Sequence, residues 1–491
     1  MRIVVVGAGL GGLSAACHLI GIPGSHQITV IDRGHVAGGR AGLWQDAGYS
    51  IDPGPVVLTM PEYLDDAFRA AGSTLDEHVT LTALDPMYRG HFHDGTTLDV
   101  KPGRDAMTEE IRRVCGSAEA ARFGAFCDWL AKLYKAEAPN FIDRNFDSVL
   151  DLARPLSPGL QLVRLGGFRK LHNLVASYFN DERLHKMFSF QALYAGLAPK
   201  QALGAYAVIT YMDSVLGVTF PVGGMHAVAR GLQAAAQAAG VEFRFSTDVE
   251  RILRANGSEG PVRGVRLTDG EVVAADVVVV NADLPVAYRD LLPGLEAPRV
   301  ARKGHYSPSC ALYLAGHRGA RPNGMAHHNI MFGNRWHESF TELLDDGTRM
   351  SDPSRLVTVP TVTDPSLAPE GSDVLYALEP IPNLSGKINW DTERDRVKQS
   401  LVDQVRALGF TGTIETERFI DPTDWERMGM AMGTPFALSH RFRQTGPFRP
   451  SNIDKRVPGL VFTGSSTVPG VGVPMVVLSG KLAAQRVAAM P

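Results

Sequence analysis

The sequence MRIVVVGAGLGGLSAACHLI, at residues 1–20, decides the fold class of this chain. Its apolar run IVVV predicts a β-strand, GAGLGG at residues 7–12 predicts a tight turn, and the small residues that follow predict a helix. A second apolar run ends on Asp32, 20 residues after Gly12. Strand, glycine turn, helix, strand and acid in this order predict a βαβ unit that binds a dinucleotide.

Each of the three glycines of this unit, and its acid, has a distinct physical role. Gly7 allows the chain to turn tightly, Gly9 allows the backbone to approach a pyrophosphate, and Gly12 allows the helix to pack on the strand. The start of the helix offers unpaired N–H groups to phosphate oxygens, and Asp32 is placed to accept from ribose hydroxyls. The alternative, a glycine-rich turn without a ligand, does not account for the flanking strands and the acid. Nicotinamide and flavin enzymes share this fingerprint, so it leaves the nucleotide open.

Two further glycine-rich segments favour a flavin. Gly38-Gly39-Arg40 follows Asp32 closely and can bring backbone and a guanidinium to the same diphosphate. Near the C-terminus, GSSTVPGVGVP at residues 464–474 lies between a predicted strand, residues 459–463, and a predicted helix, residues 475–489. The N-terminus of that helix would stabilise the negative charge of a reduced flavin ring. Three glycines and two prolines exceed what a simple helix cap requires.

Composition limits the other classes of function. Of 491 residues, 49 are Lys or Arg and 52 are Asp or Glu, so the net charge of −3 gives no field for binding nucleic acid. The four cysteines form no CxxC pair, which is typical of reduced thiols in a cytoplasmic protein. No signal peptide and no apolar stretch of about 18 residues, as a membrane span requires, is evident.

The chain alternates between two kinds of pattern. Residues 220–297 return to the α/β pattern of the N-terminus, with a helix at 225–239 and a buried strand at 277–280. Residues 300–419 predict an antiparallel sheet, residues 106–138 predict one long helix, and residues 141–215 are apolar, aromatic and basic at once. We therefore predict an α/β fold: a Rossmann-like FAD-binding domain split in sequence, an antiparallel-sheet substrate domain and a helical lobe, which is either a membrane-associating lobe or an ordinary helical cap with a solvated charged face. The predicted boundaries are 1–85, 220–297 and 421–491 for the FAD-binding domain, 86–140 and 298–420 for the substrate domain, and 141–219 for the lobe.

These motifs resemble those of the carotenoid desaturases of the bacterial and fungal phytoene desaturase type, within the amine-oxidase-like flavoproteins. The resemblance covers nearly the whole chain, and PGVGVP at residues 469–474 is its most specific mark. The other marks are residues 7–12, 38–40, 52–55, 189–191, 220–225, 281–283, 326–328 and 363–371. The chain departs from the family pattern in Asp32, where many members have Glu, and in Gly464-Ser465-Ser466-Thr467, where Gly-Ala-Gly-Thr is more usual.

The resemblance implies FAD as cofactor, a C40 polyene such as phytoene as substrate, and peripheral attachment to the cytoplasmic face of the cell membrane. Moving such a hydrocarbon out of water is worth about 30 kcal/mol at about 0.8 kcal/mol per carbon, so it must pass directly from bilayer to protein. That argument favours a lipid-facing role for residues 141–215, where an ordinary helical cap with a solvated basic face is the alternative. The residues predicted to hold the cofactor are Gly7, Gly9, Gly11, Gly12, Asp32, Gly39, Arg40, Val249, Gly464, Ser465, Gly472, Val473 and Pro474.

The implied reaction is removal of a hydride from an allylic carbon by the flavin, with loss of a proton from the neighbouring carbon. Asp147, Asp151 and Arg154 are candidate polar participants, and a quinone or oxygen is expected to reoxidise the flavin. His327-His328 lacks an acid or cysteine at ligand spacing, so no metal site is predicted. The alternatives are a desaturase, saturase or isomerase of another carotenoid, or a lipid-escort module of the same fold without redox chemistry.

Overall fold

The computed structural model describes residues 1–153, 156–257 and 259–490. The strands are β1 (Arg2–Val6), β2 (Gln27–Ile31), β3 (Trp44–Asp46), β4 (Tyr49–Ile51), β5 (Leu81–Ala83), β6 (Tyr88–His91), β7 (Thr97–Val100), β8 (Thr219–Pro221), β9 (Glu242–Arg244), β10 (Val249–Asn256), β11 (Glu259–Leu267), β12 (Val272–Ala274), β13 (Val277–Val280), β14 (Ser309–Arg318), β15 (His328–Met331), β16 (Arg355–Thr358), β17 (Ser372–Ile381), β18 (Thr413–Ile420) and β19 (Leu460–Phe462).

The helices complete the element order. They are α1 (Leu10–Ile20), α2 (Pro61–Ala70), α3 (Leu75–His78), α4 (Arg104–Cys115), α5 (Ser117–Glu137), α6 (Leu156–Arg164), α7 (Leu171–Tyr178), α8 (Glu182–Met187), α9 (Ala207–Tyr211), α10 (His226–Ala238), α11 (Leu284–Val286), α12 (Arg299–Lys303), α13 (Trp336–Thr341), α14 (Trp390–Ala407), α15 (Pro422–Arg427) and α16 (Val473–Ala488). In the described part of the chain, no helix is long and apolar enough to cross a bilayer.

A five-stranded parallel sheet joins distant parts of the chain in the order β19-β13-β1-β2-β9. Side chains alternate between its faces, so Ile3 and Val5 pack beneath α1, α10 and α16, whereas Val4 packs against the β10-β11-β12 sheet. Both faces are covered, which explains why these strands are continuous apolar runs. Three widely separated stretches of sequence thus build one nucleotide-binding sheet.

The second large sheet has the order β18-β14-β17-β16-β15-β6-β7. Its pairs are antiparallel except for β15 with β6, which run parallel. On β14, Ala311 and Tyr313 pack against α14, whereas Leu312 points to the opposite face. That opposite face, together with the end of α5, α6, α9 and the turn at residues 190–195, encloses a cavity. The predicted α/β class is therefore confirmed, with one parallel pair in the sheet predicted to be antiparallel.

The structure differs from the predicted elements in two places that affect the site. The helix predicted over residues 106–138 breaks at Gly116, whose φ of +93° separates α4 from α5. The last helix begins at Val473 and not near residue 475, so Gly472 is its N-terminal cap residue. The end of GSSTVPGVGVP is thus the first turn of a helix.

Candidate functional site

One cavity of about 1170 Å³ runs from the parallel sheet to the second sheet. This exceeds the range of about 300–1000 Å³ that a single drug-sized ligand occupies, so there is room for two ligands in series. Glycine-rich loops form one end, and apolar side chains form the other. Twelve of the thirteen residues predicted to hold the cofactor line this cavity, namely Gly7, Gly9, Gly11, Asp32, Gly39, Arg40, Val249, Gly464, Ser465, Gly472, Val473 and Pro474.

The remaining predicted residue, Gly12, packs behind the loop. A Cβ at Gly12 would lie 2.0 Å from the carbonyl oxygen of Gly7, so any side chain would push α1 away from β1. In the orientation that satisfies both ends of its amide, Asn281 accepts from the N–H groups of Gly9 and Gly12, both at 3.2 Å. The turn is therefore held from below by a residue that follows β13.

The other predicted polar group of this end, Asp32, follows β2 directly. Its Oδ2 accepts from the N–H of Ala8 at 2.6 Å, and its Oδ1 accepts from the N–H of Gly34 at 2.6 Å. The carboxylate therefore ties the first glycine loop to the end of β2 while it faces the cavity. Its remaining lone pairs are available to ribose hydroxyls.

Arg40 joins three segments at the centre of the loops. One guanidinium nitrogen donates to Ser465 Oγ at 2.6 Å, and another donates to Asp283 Oδ1 at 2.5 Å. Asp283 is almost fully buried, and its second oxygen accepts from the N–H of Ala431 at 3.0 Å. A half-buried, hydrogen-bonded pair of this kind fixes the guanidinium in the cavity wall next to the glycine loops.

Two helix N-termini open onto this end of the cavity. Neither α1 nor α16 has a side-chain cap or an acidic residue in its first turn, so the positive ends of both helices are left uncompensated. At Gly472 the φ is +108°, and no atom lies within 4 Å of the position that a Cβ would take. The space in front of α16 is therefore part of the cavity.

Three of the sequence marks meet beside the loops. Asp52 accepts from the N–H groups of Met225 and His226 at the start of α10, at 2.7 and 3.1 Å. The N–H of Gly223 donates to Asp364 Oδ2 at 2.6 Å. Burial raises the pKa of Asp52 to about 6, although its two backbone hydrogen bonds act in the opposite direction. These marks serve to hold α10 against the loops.

The far end of the cavity is a hydrocarbon surface. The inner face of the second sheet contributes Leu312, Ile330, Tyr376 and Ile420, and residues 141–212 contribute aromatic and aliphatic side chains. Aromatic and aliphatic residues of this wall, apart from those of the sheet face, include Phe141, Ile142, Leu162, Phe190, Leu193, Val208, Ile209, Met212, Phe332, Trp336, Phe340, Leu343 and Met350. Such a wall fits a long apolar ligand.

Two of the three predicted catalytic residues, Asp147 and Asp151, lie outside this cavity. Asp147 Oδ1 forms an ion pair with Arg486 at 2.7 Å, and Asp151 Oδ2 accepts from the N–H groups of Asp147 and Ser148, both at 2.8 Å. Neither side chain lines the large cavity. Arg154 is outside the described residues. These three assignments stay predictions, and the geometry gives Asp147 and Asp151 a role in shaping residues 145–151.

The two histidines singled out in the sequence are buried, and the ring of His328 stacks on that of Tyr88 with centroids 5.4 Å apart. His327 Nδ1 lies 2.7 Å from Thr363 Oγ1, and His328 Nδ1 lies 2.8 Å from Thr358 Oγ1. Burial lowers the pKa of His327 to about 3. Within residues 1–153, 156–257 and 259–490, no group of three or more His, Cys, Asp or Glu is placed to hold a metal ion.

Sequence reasoning missed several residues of the site. Asn281 and Asp283 stand directly after β13, as Asp32 stands after β2, and ligands bind at the carboxyl ends of parallel strands. This position was the signal that could have placed them in the site. Two buried acids of the apolar wall, Glu137 and Asp213, had no such signal because they lie within helical segments.

The family model for flavin-containing amine oxidoreductases matches residues 10–488. The chain belongs to this family. Its cofactor is FAD, as predicted, and the chain is an oxidoreductase. The residues present fit that cofactor, because two open helix N-termini and an acid after β2 face a cavity long enough for a dinucleotide.

Several named proteins are similar to this chain over nearly its whole length. A phytoene dehydrogenase of Streptomyces griseus is 44% identical, over 99% of this chain and 95% of its own length. A zeta-carotene-forming phytoene desaturase of Myxococcus xanthus is 37% identical, over 99% and 93%. A phytoene desaturase of Fusarium fujikuroi is 30% identical, over 99% and 89%. The predicted resemblance to the phytoene desaturases is thereby confirmed.

Solved structures of the same fold are more distant in sequence. An oxidoreductase from Methanosarcina mazei superposes with a TM-score of 0.62 at 16% identity, with all of both chains covered. Putrescine oxidase with putrescine bound gives 0.60 at 15%, also over both whole chains. A Rab GDI from Plasmodium falciparum gives 0.57 at 12%, over 95% of this chain and 93% of its own. These likenesses show the fold alone.

Proposed function

We propose that this flavin enzyme desaturates phytoene, a C40 polyene, in several steps to lycopene. One observation carries the proposal: a single cavity is lined at one end by the glycine-rich loops that suit FAD and at the other by apolar side chains. The names of the relatives from Streptomyces, Myxococcus and Fusarium point to the same substrate class. When bound, FAD supplies a two-electron oxidant that accepts a hydride from an allylic carbon.

The chain's own groups would hold the cofactor in an extended form. The N-terminus of α1 would offer its N–H groups to the pyrophosphate, Asp32 would accept from the ribose, and Arg40 stands at the centre of the loops. The N-terminus of α16, at Gly472, places a positive dipole end where a reduced ring carries negative charge. Each of these assignments concerns residues that line the cavity.

The apolar wall would position the polyene and exclude water. A hydrocarbon has no group that can donate or accept a hydrogen bond, so shape alone aligns it, and the flat inner face of the second sheet gives one rigid side. Exclusion of water protects a developing cation on the substrate from attack.

The substrate enters from lipid at one end of the cavity. Phe168 and Phe442 line the cavity, expose 52% and 48% of their surface, and lie with ring centroids 6.2 Å apart. Around them is an exposed apolar group, here named the mouth patch: Val149, Leu150, Leu160, Val163, Phe168 and Phe442. Exposed Arg164, Arg169 and Lys170 adjoin it. Apolar residues flanked by cations fit the cytoplasmic, anionic surface of a membrane, so we place the enzyme there as a peripheral protein.

The decisive experiment is to express the chain in cells that accumulate phytoene and to record the absorption spectrum and mass of the extracted pigment. We expect coloured products with two hydrogens lost per step, ending at lycopene. Turnover by the purified FAD-loaded enzyme, in air and under nitrogen with a quinone, then identifies the electron acceptor.

The competing hypotheses predict other results. If phytoene is left unchanged but a different carotenoid is converted, the enzyme acts on that other carotenoid. Purified protein that takes up no FAD would favour the lipid-escort alternative and overturn the proposal.

A further inference from the structure

A group of polar side chains interrupts the apolar wall of the cavity. Asp213 is 2% exposed and lies in the helical turn at residues 212–216. Its Oδ1 accepts from Ser214 Oγ at 2.6 Å and from Gln191 Nε2 at 3.1 Å. Tyr88 and Tyr194 line the cavity beside it. We name these five residues the Asp213 cluster.

Two atoms of this cluster are buried without a hydrogen-bond partner. Among the described residues, neither Asp213 Oδ2 nor the hydroxyl of Tyr88 makes a hydrogen bond. The Tyr88 hydroxyl lies beside the Asp213 carboxyl, and this contact lowers the pKa of Asp213. Buried polar atoms in folded proteins nearly always have partners, so each exception requires an explanation.

Binding a hydrocarbon does not require a carboxyl group in the wall. Phe190 and Met212 precede Gln191 and Asp213 in sequence and, like most of this wall, are apolar. An unpartnered acid there weakens both folding and hydrocarbon binding, because its desolvation is not compensated. An acid buried at this cost in the wall of a cavity that suits a hydrocarbon is a candidate for chemistry.

We propose that Asp213 is the proton acceptor of the desaturation, an inference that rests on the proposed function. Hydride leaves one allylic carbon for the bound FAD, which is thereby reduced by two electrons. The adjacent carbon loses its proton to Asp213 Oδ2, and the electron pair of that C–H bond becomes the second bond of the new alkene. The donors Gln191 and Ser214 engage Oδ1, which leaves Oδ2 as the oxygen that would accept the proton.

The hydrogen bonds of Asp213 explain why it can ionise here. Burial raises the pKa of Asp213 to about 7, while Ser214, Gln191 and Tyr88 each lower it. The titratable groups that face it are Tyr88 from β6 and Tyr194 from the turn at residues 190–195. Both are neutral tyrosines, because burial raises their pKa values. The three donors thus oppose the effect of burial and favour the ionised form, as a general base requires.

The other buried acid of the wall lacks this support. Glu137 lines the same cavity and has an unpartnered Oε1. Burial alone raises its pKa well above the usual range, and no neighbouring donor opposes that shift. Burial thus favours the protonated form of Glu137, which makes a matched comparison for Asp213.

The test compares Asp213→Asn, Glu137→Gln and the unaltered chain, each loaded with FAD and supplied with phytoene in liposomes. For the unaltered chain we expect the rate to rise with pH through about 7, because only the ionised form accepts a proton. For Asp213→Asn we expect a rate at least about 100-fold lower with no rise in that range. Glu137→Gln should keep the rise, whatever its rate.

A second measurement does not depend on turnover. Infrared difference spectra of the FAD-loaded proteins without substrate should show a protonated carboxyl band that disappears as pH is raised through about 7. Asp213→Asn should lack this change, and Glu137→Gln should retain it. Ser214→Ala should move the midpoint to higher pH, because it removes a hydrogen bond that favours the ionised form.

The outcomes separate the two proposals. An unaltered chain that binds FAD but leaves phytoene unchanged overturns the proposed function, and this inference with it. Desaturation with an unaltered pH profile in Asp213→Asn overturns this inference alone. A pH rise lost in Glu137→Gln, and kept in Asp213→Asn, would assign the base to Glu137 and equally overturn it.

Discussion

Gly472 lies where the backbone of the last loop becomes a helix, and its conformation is one that most residues avoid. Its φ is +108°, and the position of a Cβ is empty within 4 Å. We expect Gly472→Val to weaken FAD binding by about tenfold or more, since the side chain would occupy the cofactor's space on a strained backbone. The measurement is FAD affinity by fluorescence titration of the apoprotein.

Gly270 gives a matched comparison for that change. Its φ is +93°, it also has no atom within 4 Å of a Cβ, and it lies in the turn between β11 and β12. Gly270→Val introduces similar strain away from the cavity, so FAD affinity should be retained. Equal FAD affinity in both variants would show that the loop at Gly472 does not contact the cofactor.

At the scale of elements, α1 and α16 meet face to face and hold their N-termini at the same cavity. Gly480 is the point of closest approach: a Cβ there would lie 2.5 Å from the backbone nitrogen of Ala15 and 2.6 Å from Ser14 Oγ. We expect Gly480→Ala to cost about 1–3 kcal/mol of stability, because the helices must move apart. Thermal unfolding of the FAD-bound and FAD-free protein measures this.

A control substitution on the exposed side of α16 adds side-chain volume away from the contact with α1. Ala488 is exposed on α16, so Ala488→Leu adds apolar volume without changing the contact with α1. Its melting temperature should stay within a degree or so of the unaltered chain. If Gly480→Ala were equally stable, the tight contact of α1 with α16 would not support the site.

At the scale of the whole molecule, the cavity has to meet the phase in which its substrate dissolves. We expect sedimentation with anionic vesicles to fall several-fold when Arg164, Arg169 and Lys170 are changed to Glu, because a cationic rim is attracted to anionic lipid. Changing Leu160 and Val163 to Ser should reduce binding to neutral vesicles as well, since it removes exposed apolar surface from the mouth patch.

The control reverses charge on another surface. Arg263 and Lys303 are exposed and lie outside the mouth patch. Changing both to Glu lowers the net charge by four units, from −3 to −7, yet should leave vesicle binding nearly unchanged. Equal loss in this control would show that general charge, and not the mouth patch, governs attachment.

The sequence by itself determined the features of this protein that depend on residues adjacent in the chain. The turn at residues 7–12, Asp32 after β2 and GSSTVPGVGVP before α16 could each be interpreted from adjacent residues, because glycine spacing and strand periodicity are local properties. The break at Gly116 and the earlier start of α16 were missed, since both depend on backbone angles that a short apolar pattern does not fix.

The tertiary structure decided everything that requires distant segments to meet. Arg40 pairs with Asp283, 243 positions away, and Gln191 donates to Asp213 across 22 positions between two helical turns. No local pattern marks such partners, because burial and hydrogen bonding of a polar group depend on the surroundings that the folded chain supplies. The sequence alone therefore predicted a flavin fold and twelve of the residues that line its nucleotide end. The shape of the apolar cavity and the acid in its wall follow only from the packing of α6, α9 and the turns at residues 190–195 and 212–216 opposite the second sheet.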